Sequence, residues 1–216
     1  QITDDALLHS VVHHRKGVRQ METEIRSGAE SIEIRSNERN DVYAEGYALK
    51  FNSLSEDLGG FKEVITPEAL KETDFSDVRA LLNHNADKVL ARSSAGTLDL
   101  NVDDKGLKFR FKIPDTTYGM DLAENLRNGN INQCSFGFSL DENGDEFRYD
   151  EKENIYKRTL NKIKEVVDIS LVTYPAYKDS SVAPALRSLS KIKENEVEQR
   201  ELEHRKRKLK LELELL

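Results

Sequence analysis

The chain has 216 residues, with 33 Lys and Arg against 40 Asp and Glu, a formal charge of −7. Its 37% apolar share falls below the roughly 45–50% of an average globular sequence, so a single compact core with charge-rich ends is expected. Several classes drop out: no run approaches the ~20 apolar residues of a membrane helix, the single Cys excludes an internal disulfide or a Cys-rich zinc site, and the acidic balance disfavours a general nucleic-acid coat.

Residues 1–40 mix short apolar pairs with charge, keep no period, and read as a flexible N-terminal extension. His9, His13 and His14 lie here, and the His-x3-His spacing of His9 and His13 would place two imidazoles on one helical face, but no Cys or carboxylate completes a ligand set, so no metal is expected there. The chain opens on Gln, and Met21 is a more ordinary start, so residues 1–20 read as an upstream addition. No apolar stretch near the start reads as a secretory signal.

From residue 41 to 187 the pattern turns to short β-like runs. Val42–Phe51 mixes β-formers around Gly46, and Glu63–Ile65 runs into Thr66-Pro67, a cap followed by a helix-starting proline. Arg79–Leu82 is a short apolar strand. Thr97–Val102 and Leu107–Ile113 alternate on either side of Asp103–Gly106, which is a hairpin signal. A turn at Pro114 leads into a helix carrying Leu122 and Leu126 on one side. Cys134–Leu140, the irregular hairpin Tyr149–Leu160 and Glu165–Thr173 complete the strands, with Pro175 as a stop. Many short strands with one or two helices predict a mostly β, α+β domain, closed as a compact antiparallel barrel.

Residues 188–216 hold 8 Lys/Arg and 7 Asp/Glu with no Pro or Gly. Leu202, Leu209, Leu213 and Leu216 fall on one helical face. The stripe is too short for a long coiled coil. A solvated helical tail and a helix that docks on a partner or on itself both remain open.

Three residues in the β-rich part stand out chemically. His84 follows an apolar strand and lies between turn-forming Asn83 and Asn85. Ser135 lies in Cys134-Ser135-Phe136-Gly137-Phe138; if the two Phe face the core, Ser135 and Gly137 face outward onto a shallow groove suited to an extended peptide. Asp168 interrupts the apolar run Val166-Val167-Asp168-Ile169, and a carboxylate there needs a partner. A Ser hydroxyl needs an adjacent base to act as nucleophile, His is the natural one, and a carboxylate orients the imidazole. Spacing alone leaves this open against a structural histidine, a surface serine and a salt-bridged carboxylate. Cys134 reads as a small buried filler.

Four segments in order carry a resemblance: EGYALKFNSLSEDLGGFKEVITPEAL, VRALLNHNADKVLARSSAGTLDLNVDDKGLKFRFKIPDT, TTYGMDLAENLRNGNINQCSFGFSL and EVVDISLVTYPAYKDSSV. Over about residues 42–185 the chain resembles the tailed-phage prohead (head-maturation) serine proteases, in the broad group that includes the herpesvirus assemblins. The resemblance puts the family's histidine on His84 and its nucleophile on Ser135. It makes Asp168, two positions before the serine of the last strand, the third member, with Glu165 as the alternative. A second-histidine unit of the assemblin kind has no residue in this core. Arg92 is a candidate for oxyanion support by its place after the histidine segment. The implied function is an endopeptidase that cleaves the scaffolding region of the phage major capsid protein, and itself, inside the assembling prohead in the host cytoplasm. It implies no cofactor or metal, no nucleic acid and no membrane. Self-association is an open possibility, and the charged tail would be a removable tether. The alternative from another class is a non-catalytic capsid scaffold or assembly protein built on the same β core.

Overall fold

The structure is a computed structural model that describes residues 23–27, 32–39, 41–174 and 183–214. His9, His13, His14, Met21, Pro175 and Leu216 lie outside the described residues. The elements in chain order are β1 (Glu24–Ser27), β2 (Glu33–Ser36), β3 (Val42–Lys50), β4 (Phe61–Ile65), β5 (Arg79–Leu82), β6 (Asn85–Arg92), β7 (Leu98–Val102), β8 (Gly106–Lys112), α1 (Thr117–Arg127), β9 (Gln133–Leu140), β10 (Asp145–Asp150), β11 (Ile155–Leu160), β12 (Ile163–Val172) and α2 (Ala183–Glu214). Short 3-10 turns at Pro67–Leu70 and Ser93–Ala95 link strands.

Local chemistry explains most of these elements. The β7–β8 hairpin turns on Asp103, whose Oδ1 accepts from the backbone N–H groups of Lys105 and Gly106 at 2.8 and 3.1 Å. Strand β8 alternates buried Leu107, Phe109 and Phe111 with outward Arg110 and Lys112. Thr116 caps α1 by accepting from the Gly119 N–H at 3.1 Å, and the helix buries Leu122, Ala123 and Leu126. Thr66 takes the cap position of its 3-10 turn without a side-chain cap bond, and its hydroxyl bonds the Leu160 carbonyl at 3.2 Å instead.

The described residues are mostly β with two α-helices, but their sheets do not close into the expected barrel. Among the described residues the strands form three sheets, ordered β1-β9-β12-β5-β6, β10-β11-β4 and β2-β3-β8-β7. Two pairings, β12 with β5 and β11 with β4, are parallel, so the sheets are not purely antiparallel either. The physical reason lies in the apolar rows. Phe136 and Phe138 of β9 and Phe109 and Phe111 of β8 give their two sheets an apolar face each, joined in one core with Ile169, Leu107 and Leu122. Packing sheet on sheet covers both faces without hydrogen-bonding edge to edge. The Cys134 thiol, buried in this core, donates to the Tyr47 carbonyl of β3 at 3.1 Å.

The stretch expected to be a flexible extension contributes β1 and β2. Its charges made it read as solvated, yet Glu24 and Arg26 are buried. Arg26 bonds Glu63 at 2.9 and 3.1 Å and also bonds Glu24, while Arg158 reaches Glu24 at 2.7 and 2.8 Å, Glu63 at 2.8 Å and Asp145 at 2.6 Å. Matched acids and bases make this burial tolerable, and the cluster ties β1 to the β10-β11-β4 sheet. Helix α2 starts against a small apolar cluster of Phe61, Tyr156, Ala185 and Leu189, then runs on as an exposed helix from Val197.

Candidate active site

The site is built on the antiparallel pair β9–β12 and on the turn after β5. The pair aligns Glu165 with Ser139, Asp168 with Gly137 and Ser170 with Ser135. Directly opposed residues share a face, so these six lie on one side of the sheet, opposite Phe136 and Phe138. Strict alternation along β12 would put Asp168 on the same side as Val166, towards the core. A register shift between Val166 and Asp168 inserts one extra residue, and this bulge turns the carboxylate to the Ser135 side.

His84 reaches the same face from the β5–β6 turn. Leu82 pairs with Asn85, so Asn83 and His84 are the two central residues, with φ of 53° and 54°. That is the left-handed geometry of a two-residue hairpin, which Asn and His enter more readily than most residues with a side chain. Parallel pairing of β5 with β12 lays the turn against β12, where hydrogen bonds hold it. The Asn83 N–H donates to the Leu171 carbonyl at 2.9 Å, the Asn83 side chain exchanges bonds with Thr173 at 3.2 and 2.8 Å, and the His84 N–H donates to Ser170 Oγ at 3.2 Å.

In this position His84 Nδ1 lies 2.7 Å from Asp168 Oδ1, and Ser170 Oγ donates to the same oxygen at 2.7 Å. A carboxylate facing Nδ1 assigns the proton to that nitrogen, which leaves Nε2 as a free acceptor. Nε2 is buried and has no hydrogen-bond partner. Buried polar atoms are rarely left so, and here the orphan is the nitrogen a general base would use.

Ser135 differs from expectation in exposure. It shares the face of Asp168 and Ser170, but it is fully buried rather than open on a groove. Strand β1 adds to the other side of β9, opposing Ser27 to Ser135, and Ser135 Oγ donates to the Arg26 carbonyl at 2.8 Å. The structure therefore joins His84 to Asp168 and holds Ser135 on the neighbouring rung, turned towards β1. Glu165 is not part of this contact; it accepts from Ser139 Oγ at 3.0 Å. Arg92 bonds Asp77 at 2.5 and 2.8 Å, and Arg92 with Ser94 holds the Asp77 carboxyl far below the usual carboxylate range. Burial pushes the Cys134 thiol up to about 12, which keeps it protonated.

Two contributors escaped sequence reasoning. Ser170 bonds both Asp168 and the His84 backbone, and its only sequence mark is its place two residues after the acid. Gly137 leaves the space that the Asp168 carboxylate occupies. Among the described residues no group of three or more His, Cys, Asp or Glu is placed to hold a metal ion, and no helix is long and apolar enough to cross a membrane.

The family model of the caudovirus prohead serine proteases matches residues 30–195. The chain belongs to that family. All of the residues just described except those of β1 fall within the matched stretch. Among solved structures the chain is similar to the capsid assembly protease gp21 of bacteriophage T4, at 15% identity over 69% of this chain and 97% of that one, with a TM-score of 0.46. No curated protein matches the chain.

Proposed function

We propose that the chain is an active serine endopeptidase of prohead maturation, with Ser135 as nucleophile, His84 as general base and Asp168 as its orienting carboxylate. The observation that carries this is the 2.7 Å contact of His84 Nδ1 with Asp168 and the unpartnered Nε2 beside the Ser135 rung. To react, the Ser135 hydroxyl leaves the Arg26 carbonyl and turns towards Nε2. Nε2 then takes the hydroxyl proton as Oγ attacks the peptide carbonyl. The tetrahedral intermediate collapses to an acyl-enzyme as His84 protonates the leaving amine. Water, deprotonated by His84, releases the acid. Asp168 holds the tautomer and stabilises the imidazolium without taking the proton.

The substrate in this reading is the scaffolding region of the phage major capsid protein, and the chain itself, cleaved inside the assembling prohead in the host cytoplasm. Family membership supports this setting. Glu165 and Arg92 take no part, since both are committed to other side chains.

The test is fluorophosphonate labelling followed by peptide mapping, alongside co-expression with the capsid protein. Label on Ser135 that disappears in Ser135→Ala and His84→Ala, with capsid processing lost in the same variants, is the expected result. Label on another residue overturns the assignment. Absence of label together with unchanged capsid processing in Ser135→Ala points to the non-catalytic assembly role.

A further inference from the structure

Helix α2 is tied to the body of the domain at Glu196, whose carboxylate accepts from the Tyr156 hydroxyl at 2.8 Å. From Val197 to Leu211 every residue is exposed. Within that stretch Leu202 and Leu209 are 45% and 54% exposed, and Leu213 beyond it is 71% exposed. At 3.6 residues per turn Leu202, Lys206, Leu209 and Leu213 form one narrow stripe, with Glu203 and Lys210 along one flank and Glu198 and Arg205 along the other.

We infer that this half of α2 is a self-association surface, and that its occupant is the same helix of a second copy, running antiparallel. The charges decide the orientation. In a parallel pair the flanking positions meet as Glu198 with Glu203 and Arg205 with Lys210, like charges at both contacts. In an antiparallel pair each flank meets itself. With Leu202 set against Leu213 of the second copy and Leu209 against the stem of its Lys206, Glu203 comes beside Lys210 of the second copy. Symmetry makes that pair twice. Lys206 keeps its ammonium in water while its methylenes cover Leu209. The inference is independent of the catalytic reading, because it rests on the helix alone and is read out by mass.

The experiment is sedimentation equilibrium of the full chain over a range of concentrations, with far-UV circular dichroism to verify folding. The wild type is expected to shift from 24.7 kDa towards twice that mass as concentration rises. Leu202→Asp is expected to remain at 24.7 kDa. Glu203→Lys and Lys210→Glu, each alone, place like charges together in the antiparallel pair and weaken the dimer about fivefold, and the double variant restores it. A parallel pair gives the opposite sign, because each single change then meets an opposite charge. Single variants that strengthen the dimer overturn the orientation. A wild type that stays at the monomer mass, or a dimer indifferent to Leu202→Asp, overturns the inference.

Discussion

Gly137 and Asp168 face each other across β9 and β12, and the carboxylate fills the volume that a side chain at 137 would take: a Cβ there would stand 2.6 Å from Asp168 Oδ2. Gly137→Ala must therefore push Asp168 off its contact with His84. Misplacing an orienting group by about 1 Å costs about 10²-fold in rate. The expected outcome is a drop of that size in the rate of fluorophosphonate labelling of Ser135, with a cooperative thermal unfolding transition still present. An unchanged rate would show that the carboxylate is not needed where it lies.

Ser170→Ala removes the donor to Asp168 Oδ1 and the acceptor for the His84 N–H together. The second loss strands a part-buried backbone donor, which costs about 1–3 kcal/mol. Urea unfolding is expected to show destabilisation in that range. The labelling rate is expected to fall too, because the turn that carries His84 loosens while His84, Asp168 and Ser135 themselves are intact.

His84→Gly and His84→Ala both delete the imidazole, but they differ in backbone cost. At φ 54° an L-residue carries a left-handed penalty of about 1–2 kcal/mol that glycine avoids. His84→Gly is expected to melt higher than His84→Ala, the reverse of the usual order inside a strand or helix. Under the proposed mechanism neither variant is expected to process substrate. Equal melting points would mean that the turn relaxes once the side chain is gone.

Arg158 is the hub of the buried ion cluster, bonding Glu24, Glu63 and Asp145. Arg158→Met leaves these carboxylates short of a cation in a buried site, and a loss of about 3–5 kcal/mol is expected in urea unfolding. Acid has a related effect through Glu24. Burial alone would raise its carboxyl, but the hydrogen bonds and charge of Arg158, with those of Arg26, hold it below the usual value. A group lowered on folding contributes stability that is complete above its unfolded value, about 4.3 for Glu, and is lost as pH falls through the folded value. The melting temperature should decline below about pH 4. Glu24→Gln should flatten that decline.

Cys134 probes the packing of the core. Its thiol, pushed up to about 12 by burial, remains protonated and shielded at neutral pH. Iodoacetamide is expected to leave the native protein unmodified and to alkylate it fully in denaturant. Rapid native modification would contradict the buried placement.

Much of the β pattern was legible in the sequence because alternation and turn chemistry are local. Leu107, Phe109 and Phe111 announce an inward face, Asp103 to Gly106 a turn, and Leu122 with Leu126 a helix side. Sheet closure was not legible, because it depends on which distant strands pair. The parallel pairing of β12 with β5 joins residues about ninety positions apart in the chain, and it lays the Asn83-His84 turn against β12. Strand β1 was hidden for a related reason: the charges of Glu24 and Arg26 look solvated until Glu63 and Arg158 are seen beside them.

The candidate site divides in the same way. Local pattern is enough to pick out the residue types: a histidine between two asparagines at a strand end, a serine beside two inward phenylalanines, and an acid within an apolar strand. Their relations come from the pairing of strands far apart in the chain. A one-residue bulge at Val167 turns Asp168 to the face of Ser135, because a shift of one residue reverses every side chain beyond it. The missing side chain at Gly137 leaves the room, and Ser170 holds the acid and the histidine turn together. These facts live in pairing across strands, and no local pattern records which residue will lie opposite which.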